Sequence, residues 1–553
     1  MPRPANNQAE PVRNFRRRGP QLNENKQPPQ RRRHNDQHVE VVQDLNMPNP
    51  VQPNIDNDIQ IEAPLPQPIG AVDDTIVFDE PNMLPNINRY SISTAMISPD
   101  YKYVVAIDLG TTSSAYAYAK KEDINLDKNQ INVLCNQAWG VGKHNYMKIK
   151  TPTSILLDEN GELDSFGYKA EYNYDKRVKD GVNDFYFFRN FKMALYKNNP
   201  TSEMVIFDVN DRRMMVQTVF SKVISAFMKE FIESITNSGN TISSEEVRWV
   251  VTVPSIWSEA AKQIMKKCAH LAGIPDNQLI IALESEAASI YCQYLHSRDI
   301  GDTAISVSKK VTQYMVVDLG GGKVDIAVNE TLGNGLLREI HRPTGEDCGG
   351  NLINQSLVQE LSQIVGASFL KDIKRRYPKE CFIIQRDFEA AMKCVDPFEE
   401  NKISLRIPYV FLHIIREEIN QEQMEQILHL GPHGEKITIE NDWVYISSNL
   451  IRERLFKPIT EKICKLIMNI LFKIKNPRLT KILLVGGFAD SKCIQEAVRK
   501  GFPSNKVIVP HEADLCIIKG AVILGHSPDL IQHGDKHNER AAQTAVVKHP
   551  SQI

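Results

Sequence analysis

Two Asp-Leu-Gly turns, each directly after an apolar strand, contain the residues whose types and spacing could do chemistry. The first joins Asp108 to a Gly-Thr-Thr turn at 110–112, and the second joins Asp318 to three glycines at 320–322. Turns of glycine, threonine and serine present N–H groups and hydroxyls in a small concavity, which binds phosphate without a large basic cluster. An aspartate beside phosphate needs Mg²⁺ and its waters between them. Two such loops facing each other would hold a polyphosphate from both sides.

A third glycine turn, Gly486-Gly487, follows another apolar strand. One Asp-Leu-Gly turn alone is weakly specific, because Asp and Gly are common turn residues. The pair of turns together with the third is much more specific for a phosphate site.

The elements that position these turns can be read from hydrophobic periodicity. Apolar strands at Tyr103–Ile107 and Tyr314–Val317 lead into the two aspartates, and a further strand follows each turn. Strand, tight turn and strand are typical of a β-hairpin, and its repetition predicts two similar half-molecules. Helical periodicity predicts helices at about 219–235, 258–272, 351–361 and 450–472. A strand that ends before a proline is predicted at 247–253. The alternation predicts a mixed α/β chain with covered sheets.

Composition limits the remaining classes of function. The chain has 553 residues, 42% of them apolar, and a net charge of -2, which is typical of a globular protein without strong bias toward nucleic acid. No apolar stretch resembles a signal peptide or a bilayer span, so we expect no membrane partner. The nine cysteines form no CxxC pair or Cys/His cluster, so neither a zinc site nor a disulfide framework is predicted. The expected location is the cytoplasm, with the nucleus as the alternative.

Both ends of the chain are predicted to be tails. Residues 1–98 are rich in Pro, Asn and Gln and lack periodicity, which predicts disorder. The first third of this tail is basic, whereas the charged residues from Asp36 to Glu80 are all acidic. A nucleic-acid-contacting arm is the alternative to a solvated tail, and we expect no nucleic-acid partner. Residues 528–553 are predicted to be a flexible C-terminal tail.

Five motifs then occur in an order that points to one family. They are Ile107–Ser114, Val251–Pro254, Leu283–Ala288, Asp318–Asp325 and Val485–Gly487. Together they resemble the nucleotide-binding domain of the 70-kilodalton heat-shock protein family. The phrases at 150–153, 165–168 and 190–193 resemble its divergent branch called heat shock 70 kDa protein 12. The resemblance extends over residues 100–527.

The resemblance implies an α/β, actin-like ATPase fold of two lobes, each with a mixed five-stranded sheet flanked by helices. The nucleotide-binding lobes would be residues 99–300 and 301–527. The second would contain a subfamily insertion at about 398–444, with an apolar strand over 403–410 and a helix-like run at 421–428.

The resemblance also assigns the phosphate side of an ATP and Mg²⁺ site. Asp108 and Asp318 would contact the metal through its waters, and Asp318 would polarise the attacking water. The phosphate loops would be Gly110, Thr111 and Thr112, and Gly320, Gly321 and Gly322. Lys192 matches the catalytic lysine and Glu284 a glutamate near the metal. Their alternatives are a surface lysine and a buried glutamate at a helix start.

The adenosine side would consist of Glu389, Lys393, Gly486, Gly487 and Asp514. On a helix, Glu389 and Lys393 would pair on a solvated face in any case. Three further residues depart from the family here: Met392 replaces a lysine, Asp490 an arginine and Phe488 a small hydroxyl residue. Phe488 could stack on a base or pack in the core.

Lys323 is the departure with the largest consequence, because the family has a threonine at this position. A lysine supplies a point charge for the triphosphate, but it lacks the hydroxyl and can displace the metal or the attacking water. Since phosphoryl transfer depends on positioning, we predict tight nucleotide retention with slow hydrolysis.

The leading hypothesis is therefore a chaperone-like, ATP-dependent conformational switch with weak ATPase activity. A conventional peptide-binding domain is not expected, because few residues follow the nucleotide domain. The alternatives are a non-catalytic nucleotide-binding scaffold, a small-molecule kinase of the same superfamily and a nucleic-acid binder. Protein partners would use the tails or the insertion.

Overall fold

The computed structural model describes nine stretches of the chain, all within one unit, Asn86–Ile553. They are residues 100–126, 130–141, 144–196, 200–201, 203–295, 312–332, 335–418, 436–474 and 479–531. The predicted N-terminal tail, the helix-like run at 421–428 and residues 532–553 of the C-terminal tail lie outside them.

Strands and helices are mixed along the chain, as predicted, although ten strands precede the first α-helix. The strands are β1 Tyr103–Asp108, β2 Ser113–Lys120, β3 Ile124–Asn125, β4 Gln130–Ile131, β5 Leu134–Cys135, β6 Trp139–Val141, β7 His144–Tyr146, β8 Thr151–Pro152, β9 Ser154–Asp158, β10 Leu163–Phe166, β11 Phe185–Arg189, β12 Val205–Phe207, β13 Arg213–Met215, β14 Val247–Val253, β15 Leu279–Leu283, β16 Thr312–Leu319, β17 Val324–Thr331, β18 Leu337–Glu346, β19 Lys402–Arg406, β20 Ile437–Glu440, β21 Trp443–Ser447, β22 Lys481–Val485 and β23 Lys506–Ile508.

The helices are α1 Tyr168–Lys179, α2 Val216–Asn237, α3 Glu259–Leu271, α4 Glu284–Tyr294, α5 Asn351–Val365, α6 Ala367–Arg376, α7 Pro378–Cys394, α8 Tyr409–Glu418, α9 Ser448–Ile451, α10 Lys457–Ile474, α11 Lys492–Gly501 and α12 Cys516–His526. A π-helical turn, Arg452–Phe456, joins α9 to α10, so the helix predicted over 450–472 is interrupted near its start. Among the described residues, no helix combines the length and apolarity needed to cross a bilayer.

Two mixed sheets with the same strand order form the centre of the structure. The first has the path β15-β14-β1-β2-β5, with the short β8 as a sixth strand on β2, and the second has the path β23-β22-β16-β17-β18. In each sheet one hairpin is extended by two parallel strands. The predicted internal repeat therefore appears as two topologically equivalent sheets, and the predicted actin-like α/β fold is confirmed.

Each sheet buries apolar side chains on both faces, which explains the nearly continuous apolar character of the central strands. We call the first sheet with the elements around its core the first lobe; these include α1, the three-stranded sheet β10-β9-β11 and the turn at Phe191–Leu195. The second sheet with its helices is the second lobe. One face of the first sheet packs with α2 and α3, and one face of the second sheet packs with α10 and α11. The two inner faces share a third core.

Two crossed helices, α4 and α12, fill the space between the sheets. Helix α12 packs against β1, β2 and β14 of the first sheet, whereas α4 also contacts β16 and β17 of the second. The α12 segment follows the second sheet in sequence but returns to the first. The predicted lobe limits, 99–300 and 301–527, remain predictions, and α12 would fall in the second of them.

The helices approach most closely at Gly520. A Cβ atom at this position would lie 1.7 Å from the carbonyl oxygen of Ala287, which no side chain can tolerate. Glycine is therefore required where α12 crosses α4.

A second set of contacts joins the lobes through α7. Phe382 packs in a small apolar cluster with Tyr174 and Phe187 of the first lobe. Beside it, Arg386 of α7 forms an ion pair with the buried Glu171, which also pairs with Arg189 of the first lobe at 3.3 Å. We call these contacts the α7 bridge.

The predicted insertion contains a small three-stranded sheet, β19-β21-β20. The strand predicted over 403–410 is shorter in the structure, because β19 ends at Arg406 and α8 begins at Tyr409. Pro408 explains the change: it favours an extended preceding residue and the first turn of a helix, and its carbonyl accepts the Phe411 N–H at 2.9 Å.

Candidate functional site

The first loop, between β1 and β2, is fixed by hydroxyl groups around Asp108. Asp108 is buried at the end of β1, and the Thr252 hydroxyl donates a hydrogen bond to its Oδ1 at 3.0 Å. The Nζ atom of Lys150 lies 3.8 Å from its Oδ2. The Thr153 hydroxyl donates to the carbonyl oxygen of Gly110 at 2.8 Å. Thr252 and Lys150 were not among the predicted site residues.

The second loop, between β16 and β17, lies against the first. A Cβ atom on Gly321 would be 2.6 Å from the Thr112 hydroxyl oxygen, and one on Gly322 would be 2.7 Å from that of Thr111. The structure thus brings the two predicted phosphate loops together, one from each lobe. Only residues without side chains permit an approach this close.

Two glycines that the sequence analysis did not single out support the second loop. The N–H of Gly350 donates to the carbonyl of Gly320 at 3.1 Å, and the N–H of Asn351 donates to that of Gly321 at 2.7 Å. Gly349 and Gly350 directly precede α5. A Gly-Gly pair before a periodic helix is the signal that could have identified this support.

The third glycine turn covers Asp318. Gly486 has a φ of 90°, in the left-handed region that favours glycine, and a Cβ there would lie 2.5 Å from Asp318 Oδ1. The N–H of Phe488 donates to the Leu319 carbonyl at 2.9 Å, and that of Gly486 donates to the Ala513 carbonyl at 2.8 Å. A Cβ atom on Gly487 would meet open space. Asp514 is half-buried and directly follows Ala513, which accepts the Gly486 N–H.

Buried charges meet where the two loops converge. Lys192 donates to Glu284 Oε1 at 2.6 Å, and Lys323 donates to Asp325 Oδ2 at 2.9 Å; all four side chains are buried. Carboxylate oxygens of Glu284, Asp318 and Asp325 lie within 4.8 Å of one another. Lys192 is thus a buried ion-paired lysine rather than the alternative surface lysine.

Burial and like charge set the ionisation of this cluster. Burial, followed by the carboxylates of Glu284 and Asp325, raises the pKa of Asp318 well above its usual range, and Lys323 offsets part of this. Burial lowers the pKa of Lys323, although Asp325 acts in the opposite direction. For Lys192, burial alone would lower the pKa, but the neighbouring carboxylates, Glu284 first, outweigh it and raise the pKa.

Two buried oxygens in the cluster have no hydrogen-bond partner among the described residues. They are Oδ1 of Asp318 and Oδ1 of Asp325. Buried carboxylate oxygens are costly when unsatisfied, and a hard cation with oxygen ligands would satisfy them. The donor set therefore fits Mg²⁺. Asp325 was not a predicted site residue, but the hairpin register places it opposite Asp318, which is a signal that the sequence contained.

The predicted adenosine-side residues lie along α7 and the third glycine turn. Glu389 and Lys393 do not pair as their helical spacing favours. The Asn354 amide donates to Glu389 at 2.7 Å, and Lys393 donates to Asp490 at 3.0 Å, which ties α7 to the turn after β22. Met392 lies in the second-lobe core. Phe488 packs there too, stacked on Phe456 with ring centroids 6.5 Å apart, which agrees with core packing.

We expect Asp318→Asn to raise the unfolding midpoint of the nucleotide-free, metal-free protein by several degrees at pH 7. Since the pKa of Asp318 is raised on folding, its ionisation opposes folding. This penalty is absent below the usual carboxyl pKa of about 4 and grows as the pH rises toward the raised pKa. Thermal unfolding between pH 4 and pH 8 would measure it. Asp529→Asn, at an exposed carboxylate, is the control, and equal midpoints for Asp318→Asn and wild type at pH 7 would contradict the assignment.

Comparison with known proteins shows which proteins this chain is similar to. A family model described as Hsp70 protein matches residues 178–429. Heat shock 70 kDa protein 12B of Homo sapiens is 28% identical over 485 residues, which cover 78% of this chain and 70% of that protein. Heat shock 70 kDa protein 12A of Mus musculus is 28% identical over 480 residues, with the same coverage. The chaperone protein DnaK of Thermosipho melanesiensis is 23% identical over 441 residues, 77% of this chain and 59% of that protein.

Proposed function

Since this chain is a divergent, ATP-binding relative of the Hsp70 proteins on the heat shock 70 kDa protein 12 branch, we propose that it is a Mg-ATP-dependent conformational switch that hydrolyses ATP slowly. The observation that carries the proposal is the contact between two phosphate-type loops, one from each lobe. Each loop follows a buried aspartate, Asp108 or Asp318.

Asp108 and Asp318 would hold Mg²⁺ with its waters, and Glu284, which has a carboxylate oxygen within 4.8 Å of one of Asp318, would accept hydrogen bonds from those waters. The unsatisfied Asp318 oxygen supports this assignment. When bound, Mg²⁺ would neutralise charge that develops on the phosphate oxygens. The chain's own contribution would be to orient the nucleotide, because the two loops come from different lobes and backbone N–H groups of each would contact a polyphosphate.

Lys192 is suited to position the attacking water. An ammonium group has three donors, and one of those on Lys192 is used by Glu284 at 2.6 Å. Its other two N–H donors can contact a water and a phosphate oxygen. The ion pair limits the rotation of the side chain, so that this geometry is set before the nucleotide binds.

Lys323 supports slow hydrolysis. Its ammonium lies among the carboxylates that would otherwise organise cations and water, and it is held there by Asp325 at 2.9 Å. A fixed positive charge favours a bound triphosphate, but it competes with the metal and the attacking water for the same oxygens.

The switch would arise from the division of the site between the lobes. A nucleotide that contacts both loops binds more tightly when the lobes are closed, and this difference in affinity shifts the population toward the closed state. The γ-phosphate is the group most dependent on both loops. We therefore propose that ATP closes the lobes more strongly than ADP does.

A single-turnover assay tests this function directly. The full chain, in excess over radiolabelled Mg-ATP, is expected to retain the nucleotide and to convert it slowly to ADP. Failure to bind Mg-ATP would contradict the proposal as a whole. Binding with no ADP formed above the Asp318→Asn background would contradict hydrolysis alone.

Binding of Mg-ATP without ADP formation would favour the other candidate function, a non-catalytic nucleotide-binding scaffold. The buried Lys323–Asp325 pair is the observation that supports it, because it occupies oxygens that a catalytic site needs. In that case the closed form itself would be the signal that a protein partner recognises.

A further inference from the structure

An indole ring lies beside both lysines of the site. Trp257 follows the proline that ends β14, in a turn closed by its own N–H, which donates to the Pro254 carbonyl at 3.2 Å. The ring is 4% exposed and belongs to the core of the first lobe. Core packing alone would account for its burial, but not for the charges that face it.

The Nζ atom of Lys192 lies 5.8 Å from the Trp257 ring centroid, and that of Lys323 lies 5.9 Å from it. Lys192 belongs to the first lobe, whereas Lys323 belongs to the hairpin of the second. The Trp257 ring, which belongs to the first lobe, therefore lies beside one lysine from each lobe.

Each ammonium is held on one side by a carboxylate, Glu284 for Lys192 and Asp325 for Lys323. Lys323 also has the Tyr196 ring at 5.7 Å. An aromatic face attracts a cation without accepting a proton or competing for the metal, and tryptophan does so most strongly, especially where water is excluded. The ring thus completes the surroundings of both lysines without adding another negative charge.

We propose that Trp257 is a positioning residue of the nucleotide site, which holds Lys192 and Lys323 where they contact the phosphates. This inference rests on the proposed binding of Mg-ATP. The aromatic face of Trp257, and not only the size of the side chain, would hold the two lysines on which phosphate affinity depends.

The test compares two substitutions of similar size. Trp257→Phe and Trp257→Leu both shorten the side chain, so both should lower the unfolding midpoint similarly, but only phenylalanine keeps an aromatic face. We expect Trp257→Leu to raise the Kd of the full chain for Mg-ATP about tenfold, and Trp257→Phe to stay within about threefold of wild type. Trp443→Leu, at a partly exposed strand residue of the insertion, is the matched control and should not change the Kd.

A double-mutant cycle with Lys323→Met separates positioning from packing. If Trp257 acts through Lys323, the effect of Trp257→Leu on the Kd shrinks to less than half in the Lys323→Met background. Equal effects of phenylalanine and leucine, or an undiminished effect of leucine in that background, would overturn the role of the ring. Wild-type protein that binds no Mg-ATP would instead contradict the proposed function.

Discussion

Replacing Lys323 by threonine is expected to speed single-turnover hydrolysis of bound ATP by at least about tenfold. The Lys323 ammonium is fixed 2.9 Å from Asp325 and lies beside the three carboxylates that meet between the loops. Threonine removes the competing charge and supplies a hydroxyl that can contact water or phosphate. Quenched-flow measurement of ADP formation on the full chain would give the rate. Wild-type turnover equal to or faster than that of the variant would contradict the argument.

The same substitution should have a cost in stability. It leaves the Asp325 carboxylate buried without its cation, and loss of one partner of a buried pair destabilises by about 3 kcal/mol. Because the three carboxylates then lack the Lys323 ammonium, added Mg²⁺ should raise the stability of the variant more than it raises that of wild type.

Two further variants separate charge from chemistry. Lys323→Met removes the charge without supplying a hydroxyl, so a gain in rate with threonine but not methionine assigns the effect to the hydroxyl. Lys229→Thr makes the same replacement at an exposed lysine of α2, whose Nζ is 3.8 Å from Glu233, and should leave both rate and stability unchanged.

Gly520→Ala is expected to destabilise the fold by about 3 kcal/mol or more. The added methyl group would lie 1.7 Å from the Ala287 carbonyl oxygen, so α12 and α4 would have to move apart. Both helices are packed between the two sheets, and closely packed interiors do not yield without loss of contacts elsewhere. Urea unfolding of the full chain measures the change.

The same movement should reach the site, because α4 begins at Glu284, the partner of Lys192. We therefore expect weaker Mg-ATP binding in Gly520→Ala even at temperatures where it is folded. Gly501→Ala in α11 is the matched control: its methyl group would lie 3.4 Å from Cys464 Sγ, an acceptable contact. If Gly520→Ala were as stable as Gly501→Ala, the close crossing of α4 and α12 would be refuted.

The hairpins and the loops could be predicted because their signals are local. An apolar run, Asp-Leu-Gly and a second apolar run specify strand, turn and strand within one short segment. The repeat of this pattern predicted two equivalent sheets, which the structure contains. Once the turn is fixed, the register follows, and it places Asp325 opposite Asp318.

Contacts between distant segments could not be predicted in this way. Helical spacing favoured a pair between Glu389 and Lys393, but Lys393 binds Asp490, which the turn after β22 brings within 3.0 Å. Nothing in the spacing of Trp257 and Lys323 indicates that they meet. Similarly, the return of α12 to the first sheet is a property of the assembled core rather than of its own sequence pattern.

The α7 bridge has a consequence for kinetics rather than for affinity. If the lobes part at α7, both the aromatic contacts of Phe382 and the ion pair of Arg386 with Glu171 must break. The contacts of the α7 bridge do not include the two loops, so they would slow the opening of a full and of an empty cleft alike. They would therefore lower the rates of nucleotide association and release together, in addition to the closure that ATP itself favours. The lifetime of the bound nucleotide would then be governed by three side chains that need not touch it.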